Sequence, residues 1–281
     1  MNHLPTNRVL VNTLPKSGTH LLSKAVELLG YREHFDNPDT VNQSPMFLNY
    51  REAKNALAGY TFSEQEAQPS IPIGTLVPFY VPASIVRQWL AFILPGRYML
   101  GHITWTANLG PILAELGFRH IAIIRDPRAV VASLLAFILD TRGMPKPHFL
   151  EADFKIRSSR QQLDLILNGG YADQAGLQIQ SFAEIYRAML AWQQDPDCLL
   201  VRFEDLIGSQ GGGSDEKQQL VIAKIADHLH QPLITPMPTV YSTSARTFRQ
   251  GKVDGWKEGL EQDVVEYLSC YCEPLCTEAG Y

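Results

Sequence analysis

Cysteine is scarce in this chain, with four in 281 residues. Cys270, Cys272 and Cys276 lack the second spaced pair that a zinc site needs, so no metal is expected. Their setting, a helical pattern over Val264 to Leu275, should scatter the thiols around its surface, while Cys198 opens an apparent buried strand and reads as core. Scarce cysteine also points to a reduced, cytoplasmic setting. Long apolar runs are missing too. The stretch Trp89 to Leu94 stops at Pro95, far short of the roughly 20 residues that cross a bilayer, and no basic region leads into an apolar signal segment near Met1. No membrane partner is expected. Basic residues are outnumbered, 24 against 29 acidic, which argues against broad nucleic-acid binding. No repeat or second domain is visible, and 45% hydrophobic residues suffice for a large core in one domain spanning 1–281.

What the chain does have is alternation. Arg8 to Thr13, Tyr98 to His102, His120 to Ile124 and Cys198 to Phe203 are short and apolar, as strands are, and helical patterns separate them. This order predicts an α/β fold of parallel strands with helices on both faces and ligand loops at the strand C-terminal ends. Asn12, His102, Arg125 and Phe203 all fall at or near such ends. The less regular segments 33–74 and 141–176 read as cap regions, and 208–215, with its three consecutive glycines, as a mobile surface loop.

The most informative stretch is Arg8 to Tyr31. A strand runs to Thr13, Pro15 and Gly18 punctuate the chain, and Leu21, Leu22, Ala25, Val26, Leu28 and Leu29 then recur at helical spacing. Ser17 or Thr19 is placed to cap that helix. First-turn amides have no partner inside a helix and favour an anion, and Lys16 adds a mobile positive charge. The G-x-x-x-x-G-K-[ST] pattern of nucleoside triphosphatases is absent. A second strand, His120 to Ile124, runs into Arg125-Asp126-Pro127-Arg128 before the helical pattern Val130, Val131, Leu134, Leu135, Ile138. Ser133 lies eight residues beyond Arg125, so the two reach one ligand only if that turn folds back. The alternative is an Arg125–Asp126 pair at an exposed turn, with Ser133 a tolerated helix residue.

These residues resemble a family. Pro15-Lys16-Ser17-Gly18-Thr19 is similar to the 5′-phosphosulfate loop of the nucleotide-dependent sulfotransferases, and Arg125-Asp126-Pro127-Arg128 with Ser133 resembles their 3′-phosphate segment. Phe248-Arg249-Gln250-Gly251-Lys252-Val253-Asp254-Gly255-Trp256-Lys257 resembles the R-K-G…G-D-W-K region of the cytosolic members, and Phe203-Glu204-Asp205-Leu206 their Y-E-D-L. The resemblance implies a P-loop-like three-layer α/β/α fold and a donor, 3′-phosphoadenosine 5′-phosphosulfate, that leaves adenosine 3′,5′-bisphosphate as product. It implies that Lys16 and the Ser17, Gly18 and Thr19 amides hold the 5′ group, with Lys16 also at the bridging oxygen where charge grows. Arg125 and Ser133 would bind the 3′ phosphate, and Arg249 and the backbone near Gly251 would close over it.

In Arg97-Tyr98-Met99-Leu100-Gly101-His102 a strand ends at a histidine, which resembles the family's K-T-H motif and implies His102 as general base. Nothing but that pattern selects it over His20, His34, His120 or His148. Departures are several. Leu100 replaces the lysine of K-T-H, Gln250 that of R-K-G, His20 a position that is often Thr or Ser, and Leu21 the usual Trp. His20 is placed to reach the donor, and adenine must stack elsewhere, with Phe248, Thr247 and Tyr241 as first candidates. These departures point to a bacterial small-molecule or natural-product member, acting on a hydroxyl or on an amine or carbamoyl nitrogen as a monomer or homodimer. A small-molecule kinase using Mg-ATP and a non-catalytic nucleotide-binding protein are the rival classes. The acceptor pocket draws on Pro78, Phe79, Tyr80, Trp89, Phe137 and Phe149 among others, whereas Glu33, Asp36, Asp39 or Asp140 would suit a cationic acceptor.

Overall fold

The computed structural model describes residues 5–36, 44–63, 68–140, 147–233, 240–241 and 252–281. Its strands are β1 (Arg8–Thr13), β2 (Arg32–Glu33), β3 (Phe47–Leu48), β4 (Ser70–Ile73), β5 (Phe79–Pro82), β6 (Arg97–Gly101), β7 (Phe118–Ile124), β8 (Gly170–Ala172), β9 (Leu177–Ile179) and β10 (Cys198–Arg202). The helices are α1 (Thr19–Leu28), α2 (Tyr50–Ala56), α3 (Ala83–Ala91), α4 (Leu109–Glu115), α5 (Pro127–Leu139), α6 (Glu151–Lys155), α7 (Ser159–Asn168), α8 (Phe182–Leu190), α9 (Phe203–Leu206), α10 (Asp215–His228) and α11 (Gln262–Ala279). The expected α/β fold with a central parallel sheet is what forms.

The main sheet runs β10-β7-β1-β6-β2, with β3 also on β6, and all its pairings are parallel. Strands buried on both faces explain why β1 and β7 read as near-continuous apolar runs. Alternation then sorts the side chains into two cores. Val9, Val11, Ile121, Ile123 and Val201 pack with α1 and α10, whereas Leu10, Met99, Ala122 and Ile124 pack with α3, α5, α8 and α11. The result is three layers.

Strand order reverses at β1, which sits between β6 and β7, so a crevice opens at the C-terminal ends there. Asn12 lies opposite Gly101, Thr13 opposite Ile123, and Arg202 opposite Ile124. The segments that follow therefore leave the sheet side by side, carrying Lys16, His102, Arg125 and Phe203.

Several local expectations are corrected. Segments 33–74 and 141–176 hold more regular structure than their sequence suggests, including α2, α6, α7 and β8. Segment 208–215 is packed: Gly213 N–H donates to Gly208 O at 2.8 Å, and a Cβ on Gly213 would stand 2.8 Å from Glu204 O. Trp256 is core, as its apolar spacing suggests, but it lies in a 3₁₀ turn and the helix begins only at Gln262. On that helix Cys272 and Cys276 share one buried face and only Cys270 is exposed, so the thiols are not scattered.

Candidate active site

The turn after β1 has unusual backbone. Lys16 takes φ 72° and Gly18 φ 117°. Gly18 is required twice over, because a Cβ there would also stand 2.7 Å from the Phe203 ring and 3.2 Å from Ile123. Gly18 is the N-cap of α1, with no side-chain cap bond, so neither Ser17 nor Thr19 caps the helix. Ser17 is fully buried, its amide donates to Leu14 O at 3.2 Å, and its hydroxyl reaches Leu14 O and Ile123 O. It shapes the turn and does not offer its amide to an anion, unlike the expectation for it. The Lys16 ammonium lies 4.4 Å over the Phe137 ring. The His20 side chain keeps one side open to solvent, and desolvation of the side that packs on the protein, then Lys16, lowers its pKa.

His102 sits directly after β6. Its Nδ1–H donates to Thr13 O at 2.7 Å and lies 3.1 Å from the Thr13 hydroxyl, which is itself 2.8 Å from the Thr19 hydroxyl. With the proton on Nδ1, the Nε2 lone pair is the basic one. Burial lowers the His102 pKa to about 4 against the raising effect of bonds with the Thr13 and Gly101 backbone. The backbone is fixed from both sides, with His102 N–H donating to Leu48 O at 2.9 Å and Gly74 N–H donating to His102 O at 2.7 Å. Asn12 locks the next residue: its amide donates to Ile103 O at 2.8 Å and accepts from Ile103 N–H at 2.9 Å. Phe47 lies against the imidazole with ring centroids 4.5 Å apart.

Arg125 folds back across the turn. Its guanidinium donates to Lys16 O at 3.3 Å and Lys252 O at 3.1 Å, and stacks 4.2 Å over Phe203. Among the described residues its buried Nε has no hydrogen-bond partner. Asp126 pairs with Arg128, not Arg125, through bonds of 2.6 and 2.9 Å, and also caps α5. Glu204 accepts from Asp126 N–H at 3.0 Å and from Tyr281 hydroxyl at 2.7 Å, and Tyr186 hydroxyl donates to Arg125 O at 2.8 Å. Glu204 thus orients the Arg125 turn and does not cap α9. Ser133 is half-exposed on α5. Thr247, Phe248, Arg249, Gln250 and Gly251 lie outside the described residues, as do Asp39 and Met144. Tyr241 packs on the α1 and α10 core.

Sequence reasoning missed Thr13, which joins the turn to the histidine, and the Glu204–Tyr281 brace. Thr13 offers no signal beyond its strand-end position, and Tyr281 is distant from every motif. Among the described residues no three His, Cys, Asp or Glu side chains cluster as metal ligands would.

The turn after β1, at the N-terminus of α1, and an arginine from the neighbouring strand meet at the reversal point of a parallel sheet flanked by helices. The chain belongs to the sulfotransferase domain family, which matches residues 6–280. In fold it is similar to mouse sulfotransferase SULT7A1 complexed with PAP, at 15% identity and TM-score 0.53, covering 97% of this chain and 85% of that one. It is also similar to retinol dehydratase in complex with androsterone and inactive cofactor PAP, at 15% identity and TM-score 0.50, covering 98% and 82%. No curated protein matches the sequence.

Proposed function

We propose that this chain moves the sulfuryl group of 3′-phosphoadenosine 5′-phosphosulfate to a hydroxyl, or to an amine or carbamoyl nitrogen, of a small metabolite, with His102 as general base. The observation that carries it is the run Thr19–Thr13–His102, which ties the imidazole to the turn after β1. The residues present fit such a donor. Lys16 and the Gly18 and Thr19 amides suit its 5′ group, and the buried Nε of Arg125, which has no acceptor among the described residues, suits a 3′ phosphate. Ser133 completes that subsite. Arg125 also donates to Lys252 O, and the family resemblance assigns Phe248, Arg249, Gln250 and Gly251 to the same phosphate.

When bound, the donor supplies the sulfuryl group: the acceptor oxygen bonds to sulfur, the bridging S–O bond breaks, and its electron pair stays on the phosphate. His102 Nε2 takes the acceptor proton. An anion beside the ring favours the imidazolium and raises its basicity from the unliganded value. Lys16 meets the charge growing on the leaving oxygen. We place the acceptor against segments 33–74 and 141–176 of a single-domain, cytoplasmic enzyme, monomer or homodimer, of bacterial small-molecule metabolism. Among the described residues no helix is long and apolar enough to cross a membrane.

Calorimetric titration with adenosine 3′,5′-bisphosphate, adenosine 5′-phosphate and Mg-ATP tests the reading. Tight metal-free binding that needs the 3′ phosphate is expected, and Arg125→Ala should weaken the bisphosphate far more than the monophosphate. Preference for Mg-ATP would install the kinase reading instead. His102→Ala should keep bisphosphate affinity and lose transfer by roughly a hundredfold or more; unchanged transfer removes His102 as base.

A further inference from the structure

Half-exposed rings border the active site, and their contacts run in a circuit. Lys16 Nζ lies over Phe137, Phe137 meets His148 edge-on at 5.8 Å, and His148 stacks on Phe149 at 4.5 Å. Phe149 is 6.1 Å from Tyr50, and Tyr50 is 6.3 Å from Phe79. Backbone closes the circuit: Tyr50 packs on Gly74, which donates to His102 O, and His102 bonds Thr13, three residues before Lys16. Trp192, Tyr31 and Phe154 are fully buried, whereas these rings stay partly open. Arg51 donates to Pro147 O at 3.0 Å and so fastens the His148 segment to α2.

The two imidazoles of this circuit have opposite polarity. Leu150 N–H donates to His148 Nδ1 at 3.2 Å, so the neutral ring carries its proton on Nε2. That Nε2–H meets no acceptor among the described residues. His102 presents a lone pair at the same atom.

Resting on the sulfotransferase reading, we propose that His148 is a specificity-determining donor and that the acceptor is a neutral planar molecule with two oxygens. One is the hydroxyl that loses its proton to His102 Nε2; the other, a carbonyl-type oxygen, accepts from His148 Nε2–H. The partly open ring faces of Phe137, Phe149, Tyr50 and Phe79 suit a planar body, and the positive charges of Lys16 and Arg51 at the rim disfavour a cation. An acceptor lacking the second oxygen leaves the His148 donor dehydrated and unpaired, which is how such sites discriminate.

The test is transfer to 2-, 3- and 4-hydroxyacetophenone, each against the isopropylphenol of the same substitution, with cyclohexylmethanol and tyramine as non-planar and cationic comparisons. At least one ketone should exceed its partner by about tenfold or more in kcat/KM, and both comparison compounds should be poor. His148→Phe should collapse the ketone-to-alkyl ratio toward one, while His148→Gln, which keeps an N–H donor, retains part of it. Bisphosphate affinity within threefold of the parent shows that each variant is folded. A ratio that persists in His148→Phe, or no ratio in the parent enzyme, overturns the proposal. Bisphosphate binding without turnover of any planar acceptor also overturns it and leaves the sulfotransferase reading standing. Loss of bisphosphate binding by the parent chain defeats that reading itself.

Discussion

Lys16 holds a left-handed backbone that costs a residue with a Cβ about 1–2 kcal/mol. Strain of this kind persists where the surroundings impose it, and here it aims the lysine and its carbonyl in different directions: the ammonium over Phe137, the oxygen onto Arg125. Lys16→Gly removes both strain and charge. It should raise the melting temperature by a few degrees while weakening adenosine 3′,5′-bisphosphate binding; a lower melting temperature would show that the Phe137 contact outweighs the strain. Gly18→Ala acts in the opposite sense, because the new methyl displaces Phe203, on which Arg125 rests. Both stability and nucleotide affinity should fall. His102 is neutral at pH 7 with a folded pKa of about 4, so the acid limb of kcat/KM in the free enzyme should lie well below the 6.5 of an exposed histidine. A limb at 6.5 would show that the titrating group is another.

Two braces organise whole elements. Glu204 joins the start of α9 to the turn before α5 and to Tyr281 beyond α11, so three separate elements set the Arg125 turn. Tyr281→Phe should weaken the bisphosphate by about threefold to tenfold, with less effect on adenosine 5′-phosphate; a change equal for both would mean general loosening. Asp153 does similar work on the other side. Burial pulls its pKa up, but Arg157 at 2.7 Å and the amides of Gln174 and Ala175 outweigh that and lower it. Asp153→Ala leaves Arg157 to Asp173 and unpairs the amides of Gln174 and Ala175, and should cost about 1–3 kcal/mol in chemical denaturation, with α6 and the β8–β9 hairpin most affected. The main strands were legible from sequence within a residue or two, because burial on both faces leaves short apolar runs at β1, β6 and β7, and the edge strand β10 carries Leu199, Leu200 and Val201 against β7. So were the placements of Lys16, His102 and Arg125, since strand ends in such sheets carry ligand loops. Elements such as β2, β3 and the β8–β9 hairpin were not legible, being two or three residues long and defined by partners distant in sequence. Ser17 was misread for a related reason: a buried serine bonded to carbonyls looks the same in sequence as one open to a ligand.

At the scale of the molecule, buried histidines make stability depend on pH with a definite sign. Burial holds His102 and His148 at about 4 and His120 at about 3, all below the unfolded value of 6.5. Between those values the unfolded chain binds more protons, so stability rises with pH there and is lost on acidification from about 6.5 toward 3. Each such group contributes up to about 1.4 kcal/mol per pH unit. Denaturant midpoints should therefore drop steadily from pH 7 to pH 4, and His120→Phe, which removes a ring packed edge-on against Trp192, should flatten the decline. The Arg125 guanidinium is held by carbonyls of Lys16 and Lys252, which lie 236 residues apart. A chain still emerging from the ribosome can form β1 and its turn early, but the Arg125 guanidinium lacks its second carbonyl until Lys252 has docked. Loop closure over that span is slow and costly, so nucleotide affinity itself becomes a report on completed folding. Ligand present during refolding should then stabilise only the final state and leave the early folding rate unchanged.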